Sequence, residues 1–247
     1  IIGIVGSATN DAGLGMLQAL GFRFYDQNGE ILGKGGQILD QIVAIDFSSV
    51  HPALKDARFT IACDVRNPFS GPEGAAYVFA RQKGADGAMI EKLDAGMKRF
   101  SRLIHSTTGR EITEVAGAGA AGGLGGAFLA FLNAELKPGI ELLLRTLKFD
   151  EKIKDADLII TGEGRVDRQS VMGKVPFGIL EEANKQGIPV IVVAGSIADT
   201  EVLNKAGFRG IFSIVPSPMS LEVAMKPEAA KNNISRTVAQ IISLATL

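Results

Sequence analysis

One cysteine in 247 residues, Cys63, leaves nothing for it to pair with inside the chain. A disulfide scaffold is therefore excluded, and a reducing, cytoplasmic setting is expected. Only two histidines are present, His51 and His105. They are too far apart in sequence to suggest a metal cluster. His51 precedes Pro52 in a turn, and His105 sits at a helix end, where a cation suits the dipole. Charge of one sign is also lacking: 26 Lys and Arg stand against 27 Asp and Glu, for a net charge of −1. Nucleic acids and anionic membrane surfaces both call for a one-signed basic face, so neither is expected as a partner. No apolar run approaches the roughly 18 residues a membrane span needs, and no basic leader with a cleavage site is recognisable. A Walker A motif is missing as well. The residue five positions before Gly173 is Arg168, and Lys174 is followed by Val175. A P-loop kinase is thereby excluded on motif grounds.

What the chain does have is apolar residues (46%) and 30 glycines. The glycines cluster between apolar runs, as functional turns would. Ile1 to Gly6 already reads as a buried strand, so an N-terminal part is expected to precede it. The second half is the more regular. Apolar strands are expected at 157–161, 188–194 and 210–215, with helices at 175–187, 199–206 and 227–246 between and after them. Strand and helix alternating at this spacing imply a parallel sheet covered on both faces, with ligands at the carboxyl ends of its strands. Before it, strands are expected at 2–6, 22–26 and 59–63, a hairpin turn at Asn28-Gly29, and helices at 11–20, 73–81, 88–104, 121–132 and 138–147. The reading is α/β with two domains. Residues 1–150 form an α+β domain and residues 151–247 a Rossmann-like parallel half, the boundary falling in the charged run KFDEKIKD.

Four loops carry the candidate chemistry. Gly6-Ser7-Ala8-Thr9-Asn10-Asp11 joins a strand to a helix; either the loop receives an anion at the helix start or Asp11 caps that helix. Cys63-Asp64-Val65-Arg66-Asn67-Pro68 follows another strand, and Asp64 reads either as a base or Mg²⁺ ligand or as a turn carboxylate. Lys83, at a helix end, suits a phosphate or the helix dipole. Gly117-Ala118-Gly119-Ala120-Ala121-Gly122-Gly123 follows strand-like EITEVA and is a literal G-x-G-x-x-G, the dinucleotide fingerprint or a close-packed helix start. No acid falls cleanly the expected 20 or so residues onward. Thr161-Gly162-Glu163-Gly164-Arg165-Val166-Asp167-Arg168-Gln169-Ser170, with Gly173-Lys174, is the richest in charge and reads as a functional loop at a strand end.

Taken together, GSATND (6–11), CDVRNP (63–68), GPEGAA (71–76), QKGA (82–85), GAGAAGGLG (117–125) and TGEGRVDRQS (161–170) with Gly173-Lys174 closely resemble the bacterial glycerate kinase family without a P-loop, type 1. The resemblance runs over nearly the whole chain. It implies two α/β domains with the active site between them, one of them Rossmann-like and split in sequence by the other. It also implies that the family's opening segment, about a third of a member, is missing here. The implied activity is phosphorylation of D-glycerate by ATP and Mg²⁺, to 2-phosphoglycerate, with a homodimer compatible. Roles carried over by the resemblance place Asp11, Asp64 and Asp167 as catalytic carboxylates, Asp11 or Asp64 serving as base or metal ligand, and Asp64 and Glu163 on the metal. Ser7, Thr9, Asn10, Asn67, Lys83, Gly117, Gly119, Gly122, Gly123, Gly162, Glu163, Gly164, Arg165 and Lys174 would hold substrate or nucleotide. Val5, Ala12, Arg66 and Ala80-Arg81 depart from the family's pattern, and Arg66 adds a cation beside a site loop. Two other readings compete: an NAD-dependent oxidoreductase using residues 117–122, and a non-catalytic binding fragment.

Overall fold

The protein is described by a computed structural model over residues 1–4, 6–171 and 173–245. Val5 of the expected first strand and Thr246 of the expected last helix lie outside these. The chain divides into two compact units, residues 1–139 and 140–247.

The first unit contains, in chain order, β1 (Ile2–Gly3), α1 (Leu14–Ala19), β2 (Arg23–Tyr25), β3 (Ala44–Asp46), β4 (Thr60–Ala62), α2 (Gly87–Thr108), α3 (Ala120–Phe131) and β5 (Glu135–Lys137). Three strands pair in parallel in the order β1-β4-β5, with Ile61 opposite both Ile2 and Leu136. Ile61 is fully buried, as the central strand of a parallel sheet requires. β2 and β3 form a separate antiparallel pair. The turn expected at Asn28-Gly29 does form, with the Asp26 carboxylate accepting from the amides of Asn28 and Glu30. Its returning arm bridges only at Ile31, however, and the strand that pairs with β2 is β3, from further along the chain. Helix α2 begins at Asp86, which accepts from the Met89 amide at 2.8 Å, and stops at Gly109 in a left-handed conformation. Ile90, Asp94, Met97, Ser101 and Ile104 form its buried stripe. Around it gather Leu14, Leu17, Phe24 and Phe69, and the ring of Phe24 meets that of Phe100, on α2 itself, edge to face at 5.8 Å.

Two further expectations for this unit change. EITEVA is not a strand: residues 111–116 are turn and irregular backbone. The helix expected over 73–81 is a π-helix at Ala76–Ala80 running into a 3-10 turn at Arg81–Lys83, closed by left-handed Gly84.

The second unit follows from α4 (Gly139–Thr146), which opens at the boundary, and α5 (Phe149–Lys152). It continues as β6 (Ile159–Val166), α6 (Val175–Lys185), β7 (Val190–Ile197), α7 (Thr200–Ala206), β8 (Gly210–Ser213), α8 (Leu221–Ala224) and α9 (Pro227–Ala245). Its sheet is parallel, in the order β6-β7-β8. The expected α/β alternation is present, and side chains of β7 divide between the two faces. Val190, Val192 and Ala194 pack with Leu180 and Ala183 of α6 and Leu203 of α7, while Ile191 and Val193 pack with Ile241 of α9. Both long strands outrun their apolar cores. β6 continues through Gly162-Glu163-Gly164-Arg165 and β7 through Gly195-Ser196, so the charged segment expected as a loop is largely strand. A Cβ on Gly195 would lie 3.0 Å from the Gly164 carbonyl, and one on Gly162 would lie 3.0 Å from that of Val193. The glycines permit close strand pairing where the sequence suggests a break.

Phe100→Ala should lower stability by roughly 3–5 kcal/mol, a fall in melting temperature on the order of 10 °C. Leu221→Ala, at a position 75% exposed, should move it by no more than about 0.5 kcal/mol. Thermal denaturation of both variants checks this.

Candidate functional site

In the first unit the parallel strands β1, β4 and β5 end along one edge, and the loops leaving that edge carry most of the candidate residues. Lys83, delivered by the 3-10 turn after the π-helix, reaches the 6–11 loop: its Nζ donates to Ser7 Oγ at 2.7 Å and to the Thr9 carbonyl at 2.5 Å. Burial pushes the Lys83 pKa down, and the nearby Asp11 carboxylate pulls against that shift. The protonated form is thus a cost in the fold. That cost is present below the lowered pKa and disappears as pH rises toward the ordinary lysine value. Among the described residues Lys83 has no carboxylate within ion-pair distance; its partners are two neutral oxygens.

Asp11 does cap. Its Oδ1 accepts from the Gly13 amide at 3.1 Å and its Oδ2 from the Gly15 amide at 3.0 Å, at the start of α1. Asn10 donates to the Met97 sulfur at 3.5 Å, while its Oδ1 is buried without a partner. Asp64 is exposed at the end of β4, and its Oδ1 accepts from the Gly139 amide at 2.7 Å. Asn67 is a hub. Its carbonyl accepts from the amides of Gly117 and Gly119, and its Nδ2 donates to the Glu73 carbonyl at 2.8 Å.

The glycine-rich segment 117–126 packs backbone on backbone against these loops. Cβ atoms on Gly119, Gly122 and Gly125 would fall 2.1 Å from the Pro68 carbonyl, 2.2 Å from the Thr9 carbonyl and 2.3 Å from the Gly117 carbonyl respectively. Ala121, Gly122 and Gly123 are all left-handed, and Ala12, which is also left-handed, donates to the Gly122 carbonyl at 2.9 Å. Such strain in residues with a side chain persists only where the surroundings enforce it. The amides of Gly117, Gly119, Ala120 and Gly123 are hydrogen-bonded within the loops themselves. Close packing of three loops, rather than approach to a phosphate, is thus what these glycines visibly do. With no strand at EITEVA, the strand–turn–helix context of a dinucleotide fingerprint is missing.

Residues beyond those singled out from sequence also matter here. Asp94, buried in α2, accepts from the Gly71 amide at 2.6 Å and pairs with Lys98 at 2.7 Å, tying the 63–74 loop to the helix. Its signal in the sequence was an acid in the middle of an apolar helical stripe.

In the second unit the charged residues of 161–174 form a chain. Arg165 Nε donates to Asp167 Oδ2 at 2.9 Å, and the Asp167 amide donates to Ser170 Oγ. Ser170 Oγ in turn donates to Glu163 Oε2 at 3.5 Å, and Lys174 Nζ lies 3.9 Å from Glu163 Oε1. Asp199, left-handed and not anticipated, accepts from the Arg168 amide. Glu163 and Arg165 border a cavity of about 1190 Å³, whose walls include Ile160, Val193, Ile214 and Ile234.

The glycerate kinase family pattern matches residues 1–246. The chain belongs to the glycerate kinase family. It is 47% identical over 241 residues to a glycerate kinase of Halalkalibacterium halodurans, covering 95% of this chain and 63% of that protein. It is 46% identical to the glycerate 2-kinase of Escherichia coli, covering 96% and 62%. A solved structure from Salmonella typhimurium, named as a glycerate kinase 2, superimposes with a TM-score of 0.79 at 40% identity, covering 98% of this chain and 64% of that one. The chain therefore spans a little under two thirds of the length of these relatives.

Gly122→Ala should cost about 2–3 kcal/mol, since its φ of +70° and the Thr9 carbonyl both oppose a side chain. Gly164→Ala, with open space around it, should change stability by less than about 1 kcal/mol. Burial pushes the Cys63 thiol pKa up, and Asp64 pushes it the same way. Less thiolate is then present at any given pH, so iodoacetamide at pH 8 should label Cys63 in the folded protein several-fold more slowly than in the urea-unfolded chain.

Proposed function

We propose that this chain carries the acid- and nucleotide-handling elements of an ATP-dependent D-glycerate kinase of the type without a P-loop, forming 2-phosphoglycerate. Family membership supports this, as does the name of the Escherichia coli relative as a glycerate 2-kinase. The observation that carries it is the different build of two places, one within each unit. One is a polar, cation-bearing loop edge in the first unit, and the other is a large, mostly apolar cavity with charged residues at one side in the second.

The cavity beside β6 fits a nucleotide. It exceeds the roughly 300–1,000 Å³ of typical small-molecule sites, and its apolar walls suit a base while Arg165 and Lys174 suit phosphate oxygens. No three His, Cys, Asp or Glu side chains converge among the described residues. A nucleotide-borne Mg²⁺ needs only one or two carboxylates in addition to phosphate oxygens, and Glu163, half-buried and steadied by Ser170, suits that place. When bound, ATP supplies the phosphoryl group and Mg²⁺ neutralises its charge. Phosphoryl transfer then asks the protein mainly for positioning and for a base. Asp11 spends both carboxylate oxygens on amides of α1, whereas Asp64 has one oxygen outside its bond to Gly139. We therefore assign Asp64 as the acceptor of the proton from the acid's hydroxyl, and Asp11 as the cap that shapes the 6–11 loop. Asp167 orients Arg165. Asn67 and the glycines at 117–123 hold the loops in register, and Ser7, Thr9, Asn10 and Lys83 line the acid's side. Gly162 and Gly164 let β6 carry Glu163 and Arg165 past the cavity.

A coupled ADP-release assay with D-glycerate tests the activity. Asp64→Asn should reduce turnover at least roughly tenfold with ATP affinity unchanged; unaltered turnover would remove Asp64 from the chemistry. Arg165→Ala should weaken ATP binding about tenfold and leave D-glycerate binding alone. Equal ATP affinity in the variant and the parent would sink the nucleotide assignment.

A further inference from the structure

A second, smaller cavity of about 250 Å³ lies in the first unit, behind the 6–11 loop. Ala8, Asn10, Gln37, Lys83, Ala85 and Lys92 line it. Its volume falls below the roughly 300–1,000 Å³ of sites that take drug-sized ligands, so it suits a small molecule better than a nucleotide.

Its charge is unusual. Lys83 enters as a partly buried ammonium whose two hydrogen-bond partners are neutral oxygens, leaving one of its three protons unspent. Lys92 faces Asp40 across 3.8 Å, beyond hydrogen-bond length, so it too retains donors. Gly36 and Gly84 also border the cavity, and a side chain on Gly36 would meet the Asn10 carbonyl at 2.3 Å. Asp40 is only loosely paired with Lys92, and the Asp11 carboxylate, which acts on Lys83, has its oxygens committed to amides at the start of α1. An ammonium held partly out of water with no close counter-ion is stabilised by an anion that enters beside it.

We infer that this cavity is the carboxylate subsite for a compact hydroxy acid, with Lys83 and Lys92 holding the two carboxylate oxygens. It rests on the acid-kinase reading above, and it adds a specificity determinant, Lys92.

Titration of the isotopically labelled 247-residue chain with D-glycerate, and separately with uncharged glycerol, tests this. The amide signals of Gly36, Gly84 and Ala85 should shift with D-glycerate and stay in place with glycerol. Lys92→Met should weaken D-glycerate binding by roughly three- to tenfold, and Lys83→Met by tenfold or more. The melting temperature of Lys92→Met should not change, because that side chain is 59% exposed. Lys83→Met can loosen the 6–11 loop, so Lys92→Met is the deciding variant. Binding of D-glycerate that is equal in Lys92→Met and the parent, or that shifts only amides elsewhere, overturns the subsite while leaving the kinase reading intact. Lys92-dependent binding of another small carboxylate such as lactate, without binding of D-glycerate, upholds the subsite and overturns glycerate as the substrate.

Discussion

Backbone-to-backbone packing at the edge of the first sheet is the constraint from which most of the candidate site follows. The Asn67 carbonyl takes two amides of the glycine-rich segment, the Gly122 carbonyl takes the Ala12 amide, and the Thr9 and Pro68 carbonyls sit where Cβ atoms of Gly122 and Gly119 would be. Three loops from distant parts of the chain are thereby locked at contact distance. A side chain at these glycines would force them apart, and the residues they present, from Ser7 to Asp11 and from Asp64 to Asn67, would lose their common frame. Left-handed Ala12 and Ala121 are the conformational cost of that proximity.

Around this junction the polar groups divide into those that hold and those that remain available. Asp11, Asn67 and Asp94 are absorbed in fixing loops to helices or to one another. Lys83, Lys92 and one oxygen of Asp64 keep hydrogen-bonding capacity for something else. In the second unit Ser170, fully buried, links Glu163 to Asp167, so the carboxylates are oriented from behind while Arg165 and Lys174 stay on the solvent side. The charges are thereby held in place by their hydrogen-bonded neighbours, a preorganised arrangement.

Much of the second unit was legible in the sequence because continuous apolar strands alternate with amphipathic helices, and that pattern has few other solutions. The short strands of the first unit were legible only where apolar residues marked them. β3 and β5 carry little apolar signature of their own, and EITEVA has the composition of a strand without forming one. Three-residue strands are stabilised by their neighbours rather than by their own composition. Gly162-Glu163-Gly164 looked like a loop and is a strand, because β7 supplies the hydrogen bonds that the local sequence does not promise. Asp94 shows the opposite case. Its burial was encoded in the helical stripe, but its partner, Gly71, was not.

The family, the α/β class and the identity of the loops were determined by the sequence alone, since motif order and apolar periodicity are properties of the chain taken one residue after another. Which carboxylates are spent as caps, which glycines touch which carbonyls, and that Lys83 and Lys92 share a small cavity were decided by the tertiary structure. Those facts depend on distances between residues tens of positions apart, and no local pattern specifies how far a side chain must reach to find a partner.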